Sequence, residues 1–157
     1  TGQSTCLELP ASVVAQTPSG DDQVRFGISL GGISTVGFTV EFVRDSRSLD
    51  LTVGTWSFQD VSFSAVVKQY IGEKAIRPFV GAGLWMVAAA PGDDRTGLAL
   101  VLRAPVGLDW EFADRHSVGA VLNLNRGLWV RRANSEDDVP MNKRLVPLPE
   151  LYYRYTK

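Results

Sequence analysis

Residues 101–112 read VLRAPVGLDWEF, and alternate residues of this stretch belong to two different sets. Successive side chains of a β-strand point to opposite faces of its sheet, so the stretch predicts a strand with one apolar and one polar face. The apolar face holds Leu102, Ala104, Val106, Leu108, Trp110 and Phe112, and the other holds Arg103, Pro105, Gly107, Asp109 and Glu111. The question for the whole chain is whether the apolar face meets a protein core or lipid.

The same two-residue period continues along most of the chain. It predicts strands at 24–31, 34–43, 49–58, 61–71, 77–89, 98–112, 117–132 and 146–156. Eight consecutive strands with mostly short links form an antiparallel meander, and a flat sheet of that kind would leave two long unpaired edges. We therefore predict an all-β fold: an eight-stranded antiparallel up-and-down β-barrel over residues 24–157, preceded by a lead-in segment at 1–23.

Composition excludes several classes of function. The 157 residues suffice for one domain, and the net charge of -1 gives no basic footprint for nucleic acid. A single cysteine, Cys6, and a single histidine, His116, exclude a disulfide framework and a Cys-rich or multi-His metal site, so we expect no metal and no cofactor. The sequence starts at Thr1 with neither an initiator Met nor a signal-like segment, and we expect any export signal to have been removed or never to have been present.

The residues on the polar face of the strands are unusually small. A water-facing surface would be rich in Lys and Glu, whereas glycine in an exposed strand weakens a sheet. In a narrow lumen the same glycines make room for neighbours, so we predict that the small and polar face points inward and the apolar face outward. The small residues are Gly27, Ser29, Gly31, Gly37, Gly54, Ser62, Ser64, Gly81, Gly83, Gly107 and Gly119.

The predicted outer wall has the length and the ends that a bilayer requires. Apolar residues from Leu98 to Leu108 form a charge-free row, and a tilted strand of about 9 to 11 residues crosses a membrane. Aromatic residues gather near the strand ends at the side of the termini, as at membrane interfaces. The predicted interface aromatics are Phe42, Trp110, Phe112, Tyr153 and Tyr155.

Inward positions carry charges of both signs. A nearly balanced set can pair and hydrogen-bond, whereas a ring of one sign would favour a pore, so we predict a salt-bridged plug. We expect Arg103 at mid-lumen with Glu150 as its nearest candidate partner, and Asn123 and Asn125 as further inward polar groups. The predicted charge cluster comprises Arg25, Glu41, Asp50, Lys68, Arg103, Asp109, Glu111, Glu150 and Arg154.

Three short motifs carry a resemblance to a known family. The segments RPFVGAGLW, GLDWEF and NRGLWV resemble the small eight-stranded outer-membrane barrels of Gram-negative bacteria, the OmpA-like and OmpW-like superfamily. The resemblance covers roughly residues 24 to 157 and rests on glycine and aromatic alternation. The resemblance implies an outer-membrane location and contact with membrane lipid, including lipopolysaccharide, and it allows other envelope proteins as partners. It implies no particular activity.

Several alternatives stay open. The alternation also fits a soluble lipocalin-like barrel that binds an apolar ligand, and the apolar wall would equally fit a subunit of a larger envelope assembly. Some barrels of this size are lipid hydrolases with a Ser, a His and an acid on one face, but His116 and Ser117 are adjacent and should point to opposite faces. We therefore expect no enzyme and interpret His116 as a solvated turn residue.

Overall fold

The computed structural model describes residues 22–89, 97–131 and 144–157. The fold is a closed barrel in which each strand pairs antiparallel with its neighbours in sequence and the last strand pairs with the first. This is the predicted up-and-down topology. The strands are β1 Gln23–Gly31, β2 Ser34–Arg44, β3 Arg47–Thr55, β4 Asp60–Tyr70, β5 Ile76–Ala89, β6 Gly97–Phe112, β7 His116–Arg131 and β8 Val146–Thr156.

The barrel has two distinct ends. We call one of them the terminal end, because β1 begins there at Gln23 and β8 ends there at Thr156. The turns after β2, β4 and β6 lie at the same end. The far end carries the other connections, and its rim is uneven because β5, β6 and β7 have 14 to 16 residues whereas the other strands have 9 to 11. The two longest and most acidic loops of the sequence, 91–97 and 133–143, belong to this far end, and long loops are typical of the outward-facing end of an outer-membrane barrel. These loops, and the lead-in segment with Cys6, lie largely or wholly outside the described residues.

The third strand differs from its prediction at both ends. It begins at Arg47 because Asp45 adopts a left-handed backbone conformation (φ 54°), which closes a two-residue turn. It ends at Thr55 rather than Phe58, because Asp60 Oδ1 accepts the backbone N–H of Trp56 (2.7 Å) and Thr55 Oγ1 accepts that of Phe58 (2.9 Å). Side-chain acceptors thus capture the backbone donors that a longer strand would pair.

Within the described ranges, no helix is long and apolar enough to cross a bilayer.

One irregularity in strand pairing affects the outer wall. Between β6 and β7 the register shifts: Val101 pairs with Gly127, but Leu100 pairs with Trp129, so Leu128 is an extra residue in a β-bulge.

Candidate functional site: the charged lumen and the outer wall

The barrel is inverted relative to a soluble protein. Among the described residues, 18 polar or charged side chains are buried against seven hydrophobic ones, and 32 large hydrophobic side chains are exposed. A water-soluble fold buries its large apolar side chains, so the lumen is here the polar compartment and the wall the apolar one. Both the lumen and the outer wall therefore carry candidate functional features.

The lumen carries an ion-paired group near the terminal end, which we name the terminal cluster. Its cations are Arg25, Lys68, Arg77 and Arg154, and its anions are Glu41, Asp50, Asp109 and Glu111. Four positive and four negative side chains therefore share one level of the barrel.

Arg154 is the hub on one side of the terminal cluster. Its guanidinium donates to Glu41 Oε2 at 2.7 Å and to Asp50 Oδ2 at 2.6 Å. Lys68 also donates to Asp50 Oδ2 and lies 3.7 Å from Glu41 Oε1. Each of these two buried carboxylates thus meets at least two cations, which compensates the cost of removing it from water.

Arg25 links that side of the cluster to the other. Its guanidinium lies 3.6 Å from Glu41, and it donates to Asp109 at 3.2 Å and to Glu111 at 3.4 Å. Arg77 donates to the same two acidic groups, Asp109 and Glu111, at 3.2 Å each. The eight charges therefore form one connected network rather than separate pairs.

Arg77 was missed in the sequence, although a signal was present. Arg77 is two residues before Phe79 on β5, and residues two apart on a strand share a face, so the Arg77 side chain points inward like that of Phe79. With the predicted Arg25, Lys68 and Arg154, Arg77 brings the cations at this level to four, equal to the number of anions.

Aromatic rings are also built into the terminal cluster. Tyr70 Oη donates to Glu41 at 2.5 Å and Tyr152 Oη donates to Asp109 at 2.6 Å, while both rings lie beside buried Phe79. The Arg154 guanidinium lies 3.9 Å from the centre of the Tyr152 ring, a cation–π contact. Sequence reasoning missed Tyr70, Phe79 and Tyr152 as site residues, although their spacing from Lys68, Gly81 and Arg154 had the inward period.

Arg103 and Glu150 lie at a second, higher level, which we name the far pair. Arg103 is six residues above Asp109 on β6, or roughly 15 Å along the barrel axis at ~3.3 Å per residue and ~40° tilt. Its guanidinium donates to Glu150 Oε2 at 2.5 Å, to Asn123 Oδ1 at 2.9 Å and to Ser64 Oγ at 3.0 Å. Arg103 thus lies above the other lumen charges with Glu150 as its ion-pair partner, as the sequence predicted.

The two inward asparagines take part in different contacts. Asn123 Nδ2 donates to Glu150 Oε2 at 2.8 Å, so this amide bridges both members of the far pair. Asn125 donates instead to the backbone oxygens of Asn123 (3.1 Å) and Val146 (3.3 Å). Asn123 therefore belongs to the far pair, and Asn125 ties β7 to β8 above it.

Glycines provide the space for these large side chains. A Cβ on Gly107 would lie 2.8 Å from Phe79 Cζ, and one on Gly27 would lie 2.7 Å from Arg154 Cγ. At Gly119 a Cβ would lie only 2.1 Å from Tyr152 Cζ and 2.3 Å from its hydroxyl oxygen. Aromatic and arginine side chains pass directly over these inward glycines, so a larger residue at these positions would clash with them.

The predicted aromatics form a belt on the outer wall at the terminal end. Phe42, Trp110, Phe112, Tyr153 and Tyr155 are each between 37% and 51% exposed. His116 lies among them: its ring stacks on Phe112 and Tyr153, and its Nδ1 is 2.5 Å from Tyr153 Oη. The interpretation of His116 as a solvated turn residue is therefore wrong, because β7 begins at that residue and turns its ring outward.

Below this belt, the Ala113–Arg115 turn carries an exposed cation. The Arg115 guanidinium donates to Tyr155 Oη at 3.4 Å, and this hydrogen bond is the main cause that raises the pKa of Arg115. Arg115 therefore stays charged in the water beside the belt.

A second group of exposed aromatic residues, on the β3–β4 connection and on β7, lies at the far end and was missed in the sequence; we name it the far belt and the first group the terminal belt. Trp56 and Trp129 are 43% and 48% exposed, and Phe58, held with φ at 61°, is 90% exposed. His116 and Trp129 are 13 residues apart on β7, one of them in the bulge, which corresponds to roughly 30 Å along the axis. Two aromatic belts thus bound the apolar wall.

The described residues contain no candidate metal centre of three or more His, Cys, Asp or Glu side chains. Ser117 is buried in the lumen while His116 faces outward, so the two cannot exchange a proton directly.

Comparisons with known proteins return a single kind of likeness. No protein-family model matches the chain, and no curated protein matches it. The structure is similar to the crystal structure of the N-terminal β-barrel domain of Pseudomonas aeruginosa OprF, with a TM-score of 0.59 and 15% sequence identity. The match covers 87% of this chain and 96% of that domain, so the protein has the fold of this small eight-stranded barrel.

Proposed function

We propose that this protein is an integral outer-membrane β-barrel whose lumen is closed to ions and whose role is structural or one of surface interaction. The observation that carries the proposal is the inverted polarity, with ion pairs inside and exposed Leu, Val and Phe side chains outside. Such a wall would aggregate in water but is stable against hydrocarbon. The fold shared with the OprF barrel domain supports the same assignment.

The two belts support a transmembrane orientation of the barrel axis. Their separation of roughly 30 Å is close to the ~30 Å thickness of a bilayer's hydrocarbon core, and aromatic girdles favour the two interfaces. A soluble lipocalin-like barrel would have no reason to separate exposed aromatics in this way.

Tryptophan fluorescence in brominated lipid vesicles tests the membrane assignment. Variants that keep only Trp110, in the terminal belt, or only Trp129, in the far belt, should be quenched most by bromines near the headgroups. A variant that keeps only Trp85, which alternates inward with Phe79 on β5, is the matched control and should be quenched least. Equal and negligible quenching of all three, with protein that stays monodisperse without detergent, would establish a soluble barrel instead.

The closed lumen is supported by the terminal cluster, since paired charges and three aromatic rings occupy the barrel at one level. A closed lumen predicts almost no unitary conductance when the protein is reconstituted in a planar bilayer. Regular ion-conducting steps from the wild-type chain would contradict the closed lumen without contradicting membrane insertion.

The proposal assigns no catalytic role to His116. Purified protein incubated with lipid A should release no acyl chains above the level of a His116→Ala variant. Release that depends on His116 would support a lipid hydrolase and overturn this part of the proposal.

A further inference from the structure

An arginine lies on the outer wall near the far end. Arg126 alternates with Leu122 and Leu124 on the outward face of β7, and it pairs across the sheet with Leu102. Leu102 is 43% exposed, its own partner Leu84 is 47% exposed, and Arg126 is exposed beside them. Among the described residues, Arg126 has no hydrogen-bond or ion-pair partner.

A charge in this position needs an explanation. An arginine on the lipid face of a barrel is clearly destabilising at the bilayer midplane but costs little near the interface. Arg126 is ten residues above His116 on the same strand, or roughly 25 Å along the axis. This height is the upper edge of the apolar band, where the phosphates of the facing leaflet begin.

The β-bulge at Leu128 brings Trp129 to the same face. Residues 126 and 129 of a regular strand would point to opposite sides of the sheet. Because Leu128 is an extra residue, Trp129 pairs with Leu100, and Leu100 and Leu102 share the outer face. Arg126 therefore lies directly below an exposed indole of the far belt, and bulges commonly re-aim side chains in this way.

An apolar groove opens below Arg126 on the same strand. It has a volume of about 530 Å³, and Ala120 lies between larger neighbours, Leu108 on β6 and Leu151 on β8. Its rim includes Leu30, Val106 and Leu122. Ala120 and Arg126 are six residues apart on β7, or roughly 15 Å along the barrel axis, which is close to the ~15 Å depth of one leaflet.

We propose that this surface, defined by Ala120, Leu122, Arg126 and Trp129, binds one phosphorylated lipid of the outer leaflet, namely the lipid A part of lipopolysaccharide. An acyl chain lies in the groove over Ala120, the Arg126 guanidinium takes the phosphate, and Trp129 lies at the level of the headgroup. Arginine suits this position because its planar donors bind phosphate in a bidentate geometry. The inference rests on the proposed outer-membrane function and adds a specific ligand to it.

Native mass spectrometry in detergent micelles with added lipid A tests the proposal. Wild-type protein should retain one lipid A molecule, and Arg126→Gln should weaken that binding roughly tenfold or more, because a charge-assisted pair is lost. Arg47→Gln, which alters an exposed arginine at the terminal end, is the matched control and should bind like wild type.

The groove has its own matched pair of variants. Ala120→Leu fills the floor of the groove and should weaken lipid A binding severalfold. Ala82→Leu adds the same atoms to an exposed outward position on β5 and should leave binding unchanged. Both variants keep Arg126, so their comparison separates the acyl-chain contact from the phosphate contact.

Two further lipids identify the ligand. Lipid A stripped of its phosphates should lose the Arg126-dependent part of the binding, and phosphatidylglycerol should bind more weakly than lipid A. Equal affinity for phosphatidylglycerol, or an Arg126→Gln variant that binds lipid A like wild type, would overturn the proposal. In either case the Trp110 and Trp129 quenching described above would still report insertion, so the proposed function and this inference fail separately.

A stability measurement gives a signature that a merely structural arginine would not produce. In neutral phosphatidylcholine vesicles, Arg126→Leu should be at least as stable as wild type because a charge is removed from the wall. Added lipid A should then stabilise wild type but not the variant. Equal stabilisation of both proteins by lipid A would contradict the site.

Discussion

The terminal cluster and the far pair solve the same problem, a charge inside a narrow barrel, with different means. In the terminal cluster each buried carboxylate meets at least two cations, and two tyrosine hydroxyls complete the network. The far pair is one arginine and one glutamate, supported by the neutral groups of Asn123 and Ser64. Charge compensates charge at the first level, whereas amide and hydroxyl dipoles share that task at the second.

This difference predicts how each level responds to damage. In a network, the neighbours of a removed charge can partly compensate for its loss. Removal of Arg154 should still lower the stability strongly, because both Glu41 and Asp50 accept hydrogen bonds from it. A pair with neutral support can lose its charge partner and still keep some hydrogen bonds. The following measurements sharpen or break that comparison.

The largest effect is expected at Arg154. Arg154→Met leaves Glu41 and Asp50 without their shortest guanidinium contacts, and breaking a buried ion pair costs ~3–5 kcal/mol of unfolding free energy. Urea unfolding in lipid vesicles, followed by tryptophan fluorescence, measures it. Arg44→Met, an exposed arginine at the terminal end, is the control and should change stability little. A loss at Arg154 no larger than that of the control would mean that the terminal cluster does not stabilise the barrel.

A smaller effect is expected at the far pair. Glu150→Gln should cost ~1–3 kcal/mol, because Arg103 keeps its hydrogen bonds to Asn123 and Ser64. The double variant Arg103→Met/Glu150→Gln should cost less than the sum of the two single variants, since each single change leaves one charge unpaired. Strict additivity in the same unfolding assay would show that the two side chains are not energetically coupled.

Inward glycines distinguish the levels by packing. Gly119→Ala places a methyl group 2.1 Å from Tyr152 Cζ and should cost ~1–3 kcal/mol, as overpacking does. Gly37→Ala meets the hydroxyl oxygens of Ser29 (2.8 Å) and Ser34 (2.9 Å), which can rotate away, so its cost should be smaller. Equal unfolding free energies for the two variants would contradict the view that a rigid ring opposes Gly119 whereas only rotatable hydroxyl groups oppose Gly37.

The smallest effect is expected from salt. Raising the ionic strength from about 0.1 to 1 M shortens the Debye length from ~10 to ~3 Å, but buried pairs are screened much less than exposed ones. The unfolding free energy of wild type should therefore change little. A steep fall with salt would indicate that water and ions reach the terminal cluster.

Sequence alone was sufficient for the architecture because a period of two is a local property. The alternation around Arg103 and Asp109 predicted strands, and the small inward residues predicted which face points into the lumen. The end of β3 could not be predicted, because it depends on where Asp60 and Thr55 side chains find backbone donors. The same holds for the bulge at Leu128, which exists only in relation to the register of β6.

The sequence by itself determined the eight-stranded barrel and its inverted polarity, because alternate residues of each strand belong to opposite faces of the sheet. Only the tertiary structure decided the heights at which those residues meet. Strand tilt and register bring Arg77 into the terminal cluster and set Arg126 beside Trp129 above an apolar groove. Height around a closed barrel depends on the pairing of all eight strands, and no single stretch of sequence contains that information.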